Sequence, residues 1–211
     1  MNADRIAGSY RWLEYVAFGL ALERARFDFL SHAAGAQRVL ILGEGDGRFL
    51  ARLLDSNRHA SVAVVEISAR MIDLARLRMP SGEQSRVEFH QIDAVAGCLP
   101  EGPFDLAVTH FFLDVLDCRD ADAVIRKVSA ALAPSAGWLV SEFQEPHGNF
   151  RSLHARLWLG AMYWFFSAAT GLRVSKLPPY RELLKRSGFT EIDYRERRLG
   201  LIRSQVWRKN Q

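Results

Sequence analysis

The sequence predicts an α/β protein built on a doubly wound, mostly parallel sheet of seven strands whose last strand is antiparallel. Five short apolar runs alternate with segments of helical periodicity along the 211 residues, a pattern typical of parallel strands that helices cover on both faces. Near the C-terminus two further extended segments are joined by a short turn, which indicates an antiparallel hairpin at the sheet edge. With 49% hydrophobic residues the chain is long enough for one sizeable core, so we expect a single domain.

The elements follow one another in the order that such a fold requires. Strands are expected at residues 39–42, 61–65, 87–92, 104–109, 138–143, 191–195 and 201–208. Helices are expected at residues 9–30, 47–55, 68–78, 121–132 and 180–187. Pro134 and Gly137 are expected to stop the fourth helix before its strand begins.

The loop after the first strand is the most informative motif, because it places glycine at positions 43, 45 and 47. Glycine has no Cβ and reaches positive φ without strain, so a large group can lie against its main chain where a helix begins. The spacing is G-x-G-x-G, whereas the dinucleotide fingerprint is G-x-G-x-x-G, and this difference disfavours a nicotinamide dehydrogenase. A tight strand-to-helix turn needs glycine even without a ligand, so the loop alone does not decide the function.

Two acidic residues end the next two strands, at the same edge of the sheet as the glycine loop. Glu66 lies nineteen positions beyond Gly47 and could accept both ribose hydroxyls of a nucleoside. The alternative is an acid at a helix N-terminus, with Ser68 as the cap. Asp93 suits the exocyclic amine of adenine, and its alternative is an Asx turn that leads out of the strand. The loop and the two acids together predict an adenosyl site in one crevice.

These motifs resemble those of the class I S-adenosylmethionine-dependent methyltransferases, from residue 38 to about residue 143 and more loosely to the C-terminus. The matching segments are residues 39–47, 64–66, 91–94, 104–108 and 132–137. The family implies a Rossmann-like sheet with an antiparallel last strand. It also implies a glycine loop on the methionine part of S-adenosylmethionine or S-adenosylhomocysteine, one acid on the ribose and one on the adenine. The residues that the resemblance assigns to the cofactor are Gly43, Glu44, Gly45, Asp46, Gly47, Glu66, Ile67, Met71, Asp93, Ala94, Thr109 and His110.

One position departs from the family pattern. Its members often carry an acidic residue two places before the first glycine, and here that place is Ile41. Glu44 or Asp46, inside the loop, could replace it as the partner of the methionine ammonium group. Both could equally be solvated loop carboxylates, so the sequence leaves the anchor of the ammonium group open.

The fourth strand runs into Thr109 and His110, which should face the sulfonium of the cofactor. An imidazole can take a proton from an attacking oxygen, nitrogen or carbon nucleophile, so His110 is the candidate catalytic residue. The alternative is that His110 supports the cofactor through its backbone or fills the cleft with its ring. A base is optional, because in-line positioning and exclusion of water can supply most of the acceleration. The acids at 114, 117, 120 and 122 are expected to be loop and helix-start residues.

The region before the last helix is the best guide to the methyl acceptor. We divide the domain into an N-terminal cap helix (1–37), a cofactor-binding core (38–143), an apolar substrate or lid insertion (147–180) and a C-terminal helix with hairpin (181–211). Residues 157–169 carry no charge and are too few to span a bilayer. As a helix they could be buried against the N-terminal helix, form a lid over an apolar acceptor, or make peripheral contact with a membrane.

In placement and apolar character this insertion is similar to the substrate insertion of small-molecule methyltransferases of the quinone C-methylating group. The resemblance implies substrate contacts for Trp158, Tyr163 and Trp164. Tyr10 matches a tyrosine that those relatives carry in the helix before the glycine loop, where it would close over the site. Core packing is the alternative for these aromatic residues.

Charge and cysteine content limit the partners and the location. The net charge of +4 is concentrated at the C-terminus, where residues 173–209 hold eleven Lys or Arg against four Asp or Glu. A solvated strand face is favoured there. RNA is disfavoured because no dedicated RNA-binding module accompanies these residues, and DNA is not expected. Two separated cysteines and no signal-peptide pattern predict a reducing cytoplasm, no disulfide and no metal site.

The sequence therefore predicts an S-adenosylmethionine-dependent methyltransferase that acts on a small, apolar or amphipathic acceptor by direct in-line transfer. The alternative keeps the fold without the reaction: a cofactor-binding protein that has lost turnover and binds a partner through the basic C-terminal hairpin. Ile41 is the residue that motivates this alternative. The sequence predicts neither the acceptor, nor the methylated atom, nor the oligomeric state.

Overall fold

The computed structural model describes residues 20–144 and 177–211. Its strands are β1 (Arg38–Leu42), β2 (Ser61–Glu66), β3 (Val87–Gln91), β4 (Phe104–His110), β5 (Leu132–Phe143), β6 (Phe189–Arg197) and β7 (Ile202–Lys209). Its helices are α1 (Ala21–Phe27), α2 (Arg48–Ser56), α3 (Ala69–Arg78), α4 (Cys118–Ala131) and α5 (Tyr180–Arg186). All seven strands form one sheet in the order β3-β2-β1-β4-β5-β7-β6.

The order of the strands creates a crevice between the ends of β1 and β4. These two strands pair with each other, β2 and β3 follow on one side, and β5 follows on the other, all in parallel. The chain therefore winds outward in opposite directions from the β1/β4 pair. Ligands of such sheets bind at the carboxyl ends of the strands, at this switch point. The predicted doubly wound, mostly parallel sheet is confirmed.

The C-terminal hairpin completes the sheet with antiparallel strands. β7 pairs antiparallel with β5, and β6 pairs antiparallel with the outer side of β7. A short 3-10 helix, Arg198–Gly200, connects the two strands. The predicted hairpin at the sheet edge and the predicted antiparallel last strand are therefore confirmed.

Helices cover both faces of the sheet, as the continuous apolar strands predicted. In α2 the residues Phe49, Leu50, Leu53 and Leu54 share one face and are buried against β1 and β2. The other face packs against α4 and α5 around Trp138, which is fully buried. Burying a large apolar side chain contributes roughly 1.5–3 kcal/mol, so these two layers supply most of the favourable folding energy.

α4 begins earlier than the expected residue 121. Asp117 caps this helix, because its carboxylate accepts a hydrogen bond from the backbone N–H of Asp120 at 2.8 Å. A carboxylate in this position satisfies one of the donors that a helix N-terminus leaves without a partner. The expectation that Asp117 is a helix-start residue is confirmed, and the cap explains why the helix starts at Cys118.

β5 begins six residues earlier than expected, so Pro134 and Gly137 lie inside the strand instead of ending the preceding helix. The prediction of a break at these two residues was wrong. The strand tolerates them because its pairing with β4 is irregular there: Leu132 and Gly137 pair with residues only two apart on β4. Proline and glycine are accepted in strands at such irregular positions.

The N-terminal helix expected at residues 9–30 lies partly outside the described residues. Within its range the structure has α1, and a 3-10 helix at Leu30–Ala33 follows. Among residues 20–144 and 177–211, no helix is long and apolar enough to cross a membrane.

Candidate functional site

The glycine loop between β1 and α2 needs glycine at each of its three positions. Gly43, Gly45 and Gly47 have φ angles of +67°, +68° and +85°. A Cβ on Gly43 would come within 2.5 Å of the Phe112 ring, and a Cβ on Gly47 within 2.6 Å of the Ala75 Cα atom. At Gly45 the same Cβ would meet nothing within 4 Å. Two glycines therefore serve close packing within the protein, whereas Gly45 presents bare backbone to open space.

Glu66 links the glycine loop to the start of α3. Its Oε2 atom accepts a hydrogen bond from the Gly45 N–H at 3.2 Å, and its Oε1 atom accepts one from the Ser68 N–H at 3.0 Å. Ser68 in turn caps α3, since its hydroxyl accepts a hydrogen bond from the Met71 N–H at 3.2 Å. The capping arrangement that we considered for Ser68 is therefore present. The predicted contact of Glu66 with the ribose stays a prediction.

The predicted adenine side of the crevice lies after β2 and β3. Asp93 forms the Asx turn that we considered as its alternative, because Oδ1 accepts hydrogen bonds from the N–H groups of Val95 at 2.8 Å and Ala96 at 3.4 Å. Oδ2 is then the oxygen available to a ligand. Ile67 is a large apolar residue with 40% of its surface exposed, directly beyond the end of β2. The other two predicted residues, Met71 and Ala94, are buried.

The two loop acids differ in their surroundings. Glu44 is half-buried, and its Oε1 atom accepts a hydrogen bond from the Leu50 N–H at 2.9 Å. Burial raises the pKa of Glu44 to about 8, against the opposing effects of that hydrogen bond and of the Arg26 guanidinium. Asp46 instead forms ion pairs with Arg48 at 2.9 Å and Arg78 at 3.1 Å. Of the two, Glu44 is the acid not already neutralised by an ion pair among the described residues.

A pH-dependent stability follows from the raised pKa of Glu44. Because the folded protein holds this proton more tightly than the unfolded chain, the contribution to stability is fully present below pH 4.5. It is lost as the pH rises through about 8. We expect the variant E44Q to match the wild type at pH 4 and to be more stable than it at pH 9, as measured by urea denaturation. E88Q changes an exposed carboxylate and is the control. Parallel pH curves for E44Q and the wild type would contradict the prediction.

His110 ends β4, and its ring is buried beside the crevice. The ring meets the Phe49 ring edge-on at 4.8 Å, and neither ring nitrogen has a hydrogen-bond partner among the described residues. Burial, together with Arg26, lowers the pKa of His110 to about 3. The imidazole is therefore neutral at pH 7, and such a low pKa matches a general base poorly.

Thr109, the residue before it, turns its side chain to the core. It is fully buried, and its hydroxyl accepts a hydrogen bond from the Trp138 indole N–H at 3.0 Å. Its backbone pairs with Leu42 of β1 and Val140 of β5. Any contact of Thr109 with a ligand must therefore involve its main chain.

Sequence reasoning missed a buried pair of carboxyl groups behind the site. Glu142 of β5 is fully buried and accepts hydrogen bonds from the N–H groups of Phe112 at 3.3 Å, Leu113 at 3.0 Å and Asp114 at 3.2 Å. The Asp114 side chain forms a hydrogen bond with Glu142. Burial raises the pKa of Asp114 to about 6. Burial also raises the pKa of Glu142, and the nearby Asp114 carboxyl group raises it further. The pair therefore shares a proton near neutral pH.

Asp114 lies in the loop after β4 and in the first turn of a 3-10 helix, as expected, but its burial beside Glu142 was not expected. Asp114 lies in a short 3-10 helix, Leu113–Val115, and is only 3% exposed. The pair fixes the loop after β4, which carries Phe112 against Gly43. No local pattern signals the pair, because its two members are 28 positions apart in the sequence.

Four predicted substrate residues, Tyr10, Trp158, Tyr163 and Trp164, lie outside the described residues, as does most of the predicted insertion at 147–180. The predicted contact of residues 157–169 with a membrane lies outside them too. These assignments stay predictions.

The central part of the chain is similar to known proteins. Residues 39–135 match a protein family described as a methyltransferase domain. The fold is similar to that of an O-methyltransferase family protein from Burkholderia thailandensis, with a TM-score of 0.66 and 19% identity over 100% of this chain and 63% of that one. It is also similar to the mitomycin 7-O-methyltransferase MmcR, with a TM-score of 0.70 and 18% identity over 97% and 60% of the two chains.

A third similar structure is the N-methyltransferase NodS from Bradyrhizobium japonicum WM9 in complex with S-adenosyl-L-homocysteine. It has a TM-score of 0.67 and 16% identity, over 90% of this chain and 89% of that one. No curated protein sequence is significantly similar to this chain. The chain spans less than two thirds of the length of the first two structures. Residues 39–135 therefore match a methyltransferase domain model, and the chain shares its fold with these three solved structures.

Proposed function

We propose that this protein is an S-adenosylmethionine-dependent methyltransferase that acts on a small, apolar or amphipathic acceptor. The observation that carries the proposal is the hydrogen bond between Gly45 and Glu66 at the switch point of the sheet. It brings bare backbone from the end of β1 next to a carboxylate from the end of β2. A nucleoside that carries an amino-acid chain needs both features side by side.

The residues at the crevice fit the chemistry of this cofactor. The backbone at Gly45 faces open space, which leaves room for a ligand against the main chain. We assign the ribose hydroxyls to Glu66, and the exposed Ile67 offers an apolar surface to the base. Asp93 Oδ2 can accept a hydrogen bond from an exocyclic amine. Glu44 is the acid that would meet the ammonium group in place of the missing acid at position 41, and it would release its proton to solvent when the cation binds.

Bound S-adenosylmethionine would supply a methyl group that is already activated by the sulfonium. The chain then has to orient the acceptor in line and to exclude water. The buried Phe49 ring packs edge-on against the His110 ring at the end of β4. Because burial lowers the pKa of His110 to about 3, we do not assign it the role of general base. The two relatives named above as O- and N-methyltransferases leave both kinds of acceptor atom open.

The experiment that tests this proposal is calorimetric titration with S-adenosylhomocysteine. We expect the wild type to bind and E66A to lose at least about tenfold in affinity, because hydrogen bonds from the ribose to a charged acceptor disappear. D105A is a matched control, because Asp105 also bridges two backbone N–H groups, those of Gln37 and Arg38. It does so at the end of the strands that lies away from the crevice. Absence of binding by the wild type would refute the proposal, and equal losses in both variants would refute the role of Glu66.

Turnover separates this function from the alternative of an inactive binding protein. Loss of a methyl label from the donor in the presence of lipid, quinone and phenol extracts would support the enzyme. The alternative of partner binding through the hairpin is less favoured, because three of its arginine residues already form ion pairs within the protein. Arg195 and Arg197 pair with Asp28, and Arg203 pairs with Glu191 and Glu196.

We also propose a cytoplasmic location and a small molecule as the partner. Cys98 and Cys118 are both free and exposed, which supports a reducing compartment.

A further inference from the structure

Lys127 of α4 gathers three carbonyl groups of one loop. Its ammonium group donates hydrogen bonds to the carbonyl oxygens of Ala94 at 3.1 Å, Val95 at 2.6 Å and Gly97 at 2.8 Å. An ammonium group has three protons, so each of them has an acceptor here. All three acceptors belong to the loop after β3, and Lys127 belongs to a helix that lies more than 20 positions further along the chain.

The loop has its own internal turn, which the lysine completes. The Gly97 N–H donates a hydrogen bond to the Asp93 carbonyl at 2.7 Å, and the Asp93 side chain accepts the N–H of Val95. These bonds close the turn but leave the three other carbonyls close together. Carbonyl dipoles that converge repel one another unless a donor lies between them, and a charged donor makes stronger hydrogen bonds than a neutral one.

We propose that Lys127 is the positioning residue of the adenine-binding loop. This inference rests on the proposed function, because the loop carries Asp93 and Ala94 at the crevice. Asp93 uses Oδ1 for the turn, so the direction of Oδ2 depends on the shape of the turn. Lys127 fixes the shape of the turn through its hydrogen bonds to the loop carbonyl groups. It thereby sets how well the Asp93 carboxylate can accept a hydrogen bond from the exocyclic amine of adenine.

The chain contains a matched control for this role. Lys209 of β7 makes the same kind of contact, donating hydrogen bonds to the carbonyl oxygens of Ser129 and Leu132, both at 2.7 Å. Leu132 pairs with Phe104 at the start of β4, so these contacts lie at the end of the sheet away from the crevice. Replacing Lys209 removes two part-buried hydrogen bonds to backbone carbonyls without touching the loop.

The experiment compares two ligands that differ in the exocyclic group of the base. S-adenosylhomocysteine and S-inosylhomocysteine are titrated into the wild type, K127M, K127R and K209M, and thermal unfolding is followed for each. We expect the wild type to prefer the adenosyl ligand. K127M should bind it about tenfold more weakly and lose most of the preference, because Asp93 is no longer held in place. K127R keeps the positive charge, so it should recover part of the affinity and part of the preference. K209M should keep the affinity and the preference of the wild type.

Unchanged affinity and preference in K127M would overturn the inference. So would an equal loss in K209M, because the effect would then come from general destabilisation. If the wild type binds neither ligand, the proposed function itself fails, so the two failures are distinguishable. The ratio of the two affinities is the decisive readout, since a variant that only lowers stability weakens both ligands alike.

Discussion

Replacing Glu142 with alanine is expected to lower the free energy of unfolding by about 3 kcal/mol and to abolish methyl transfer. The fully buried carboxylate accepts hydrogen bonds from three consecutive backbone N–H groups, those of Phe112, Leu113 and Asp114. Each buried donor left without an acceptor costs about 1–3 kcal/mol. Water that enters the vacated space would offset part of this cost. Removal of the charge repulsion between Glu142 and Asp114 would offset a further part of the cost.

The loss of activity follows from what the loop carries. Phe112 packs so closely against Gly43 that a Cβ there would clash with its ring. His110 precedes it at the end of β4. If Glu142 no longer holds the loop, Phe112 no longer packs firmly against the glycine loop. The end of β4, with His110, is then less well fixed. Activity should therefore fall even at temperatures where the variant is still folded.

Urea denaturation and a methyl-transfer assay measure the two effects. E142Q should have a stability and an activity between those of the wild type and E142A. Its amide oxygen can still accept hydrogen bonds from the N–H groups of Phe112 and Leu113, but its NH₂ group would face the N–H group of Asp114. E88A replaces a glutamate whose side chain is 83% exposed and should change neither quantity. A stable and active E142A would show that the three hydrogen bonds are dispensable.

The periodicity of apolar residues was sufficient to predict the fold, because local patterns determine where the strands and helices form. Apolar runs at residues 39–42 and 104–109 became β1 and β4 within one residue of the expected limits. The exception is β5, where Pro134 and Gly137 signal a break that tertiary pairing overrides. Local turn signals are reliable only where no neighbouring strand accommodates the irregular residue.

The candidate site was predictable only as far as it is built from strand ends. Topology brings the glycine loop, Glu66 and Asp93 to one edge of the sheet, and their order in the sequence reflects that topology. Lys127 and Glu142 were missed because their partners are backbone groups of distant loops. A lysine in a helix and a glutamate near the end of a strand look the same in the sequence whether they are solvated or buried. Their roles come from tertiary contacts that no local spacing encodes.

Alanine at Gly47 and at Gly45 should give opposite results, and this pair tests the glycine loop directly. At Gly47 the new Cβ would lie 2.6 Å from the Ala75 Cα atom with φ at +85°. The obstacle is backbone of α3, which cannot move without displacing the helix. The strain of a positive φ and the overpacking together should cost about 3 kcal/mol or more.

At Gly45 the φ angle is +68° and the Cβ would meet nothing within 4 Å. The cost should then be the backbone strain alone, roughly 1–2 kcal/mol. The added methyl group would, however, occupy the space that the proposed cofactor needs against the main chain. G45A should therefore fold and fail to bind S-adenosylhomocysteine, whereas the main defect of G47A should be stability. Calorimetry and urea denaturation of both variants separate the two effects. If G45A binds like the wild type, Gly45 serves only the tight turn between β1 and α2, which is the reading of this loop that requires no ligand.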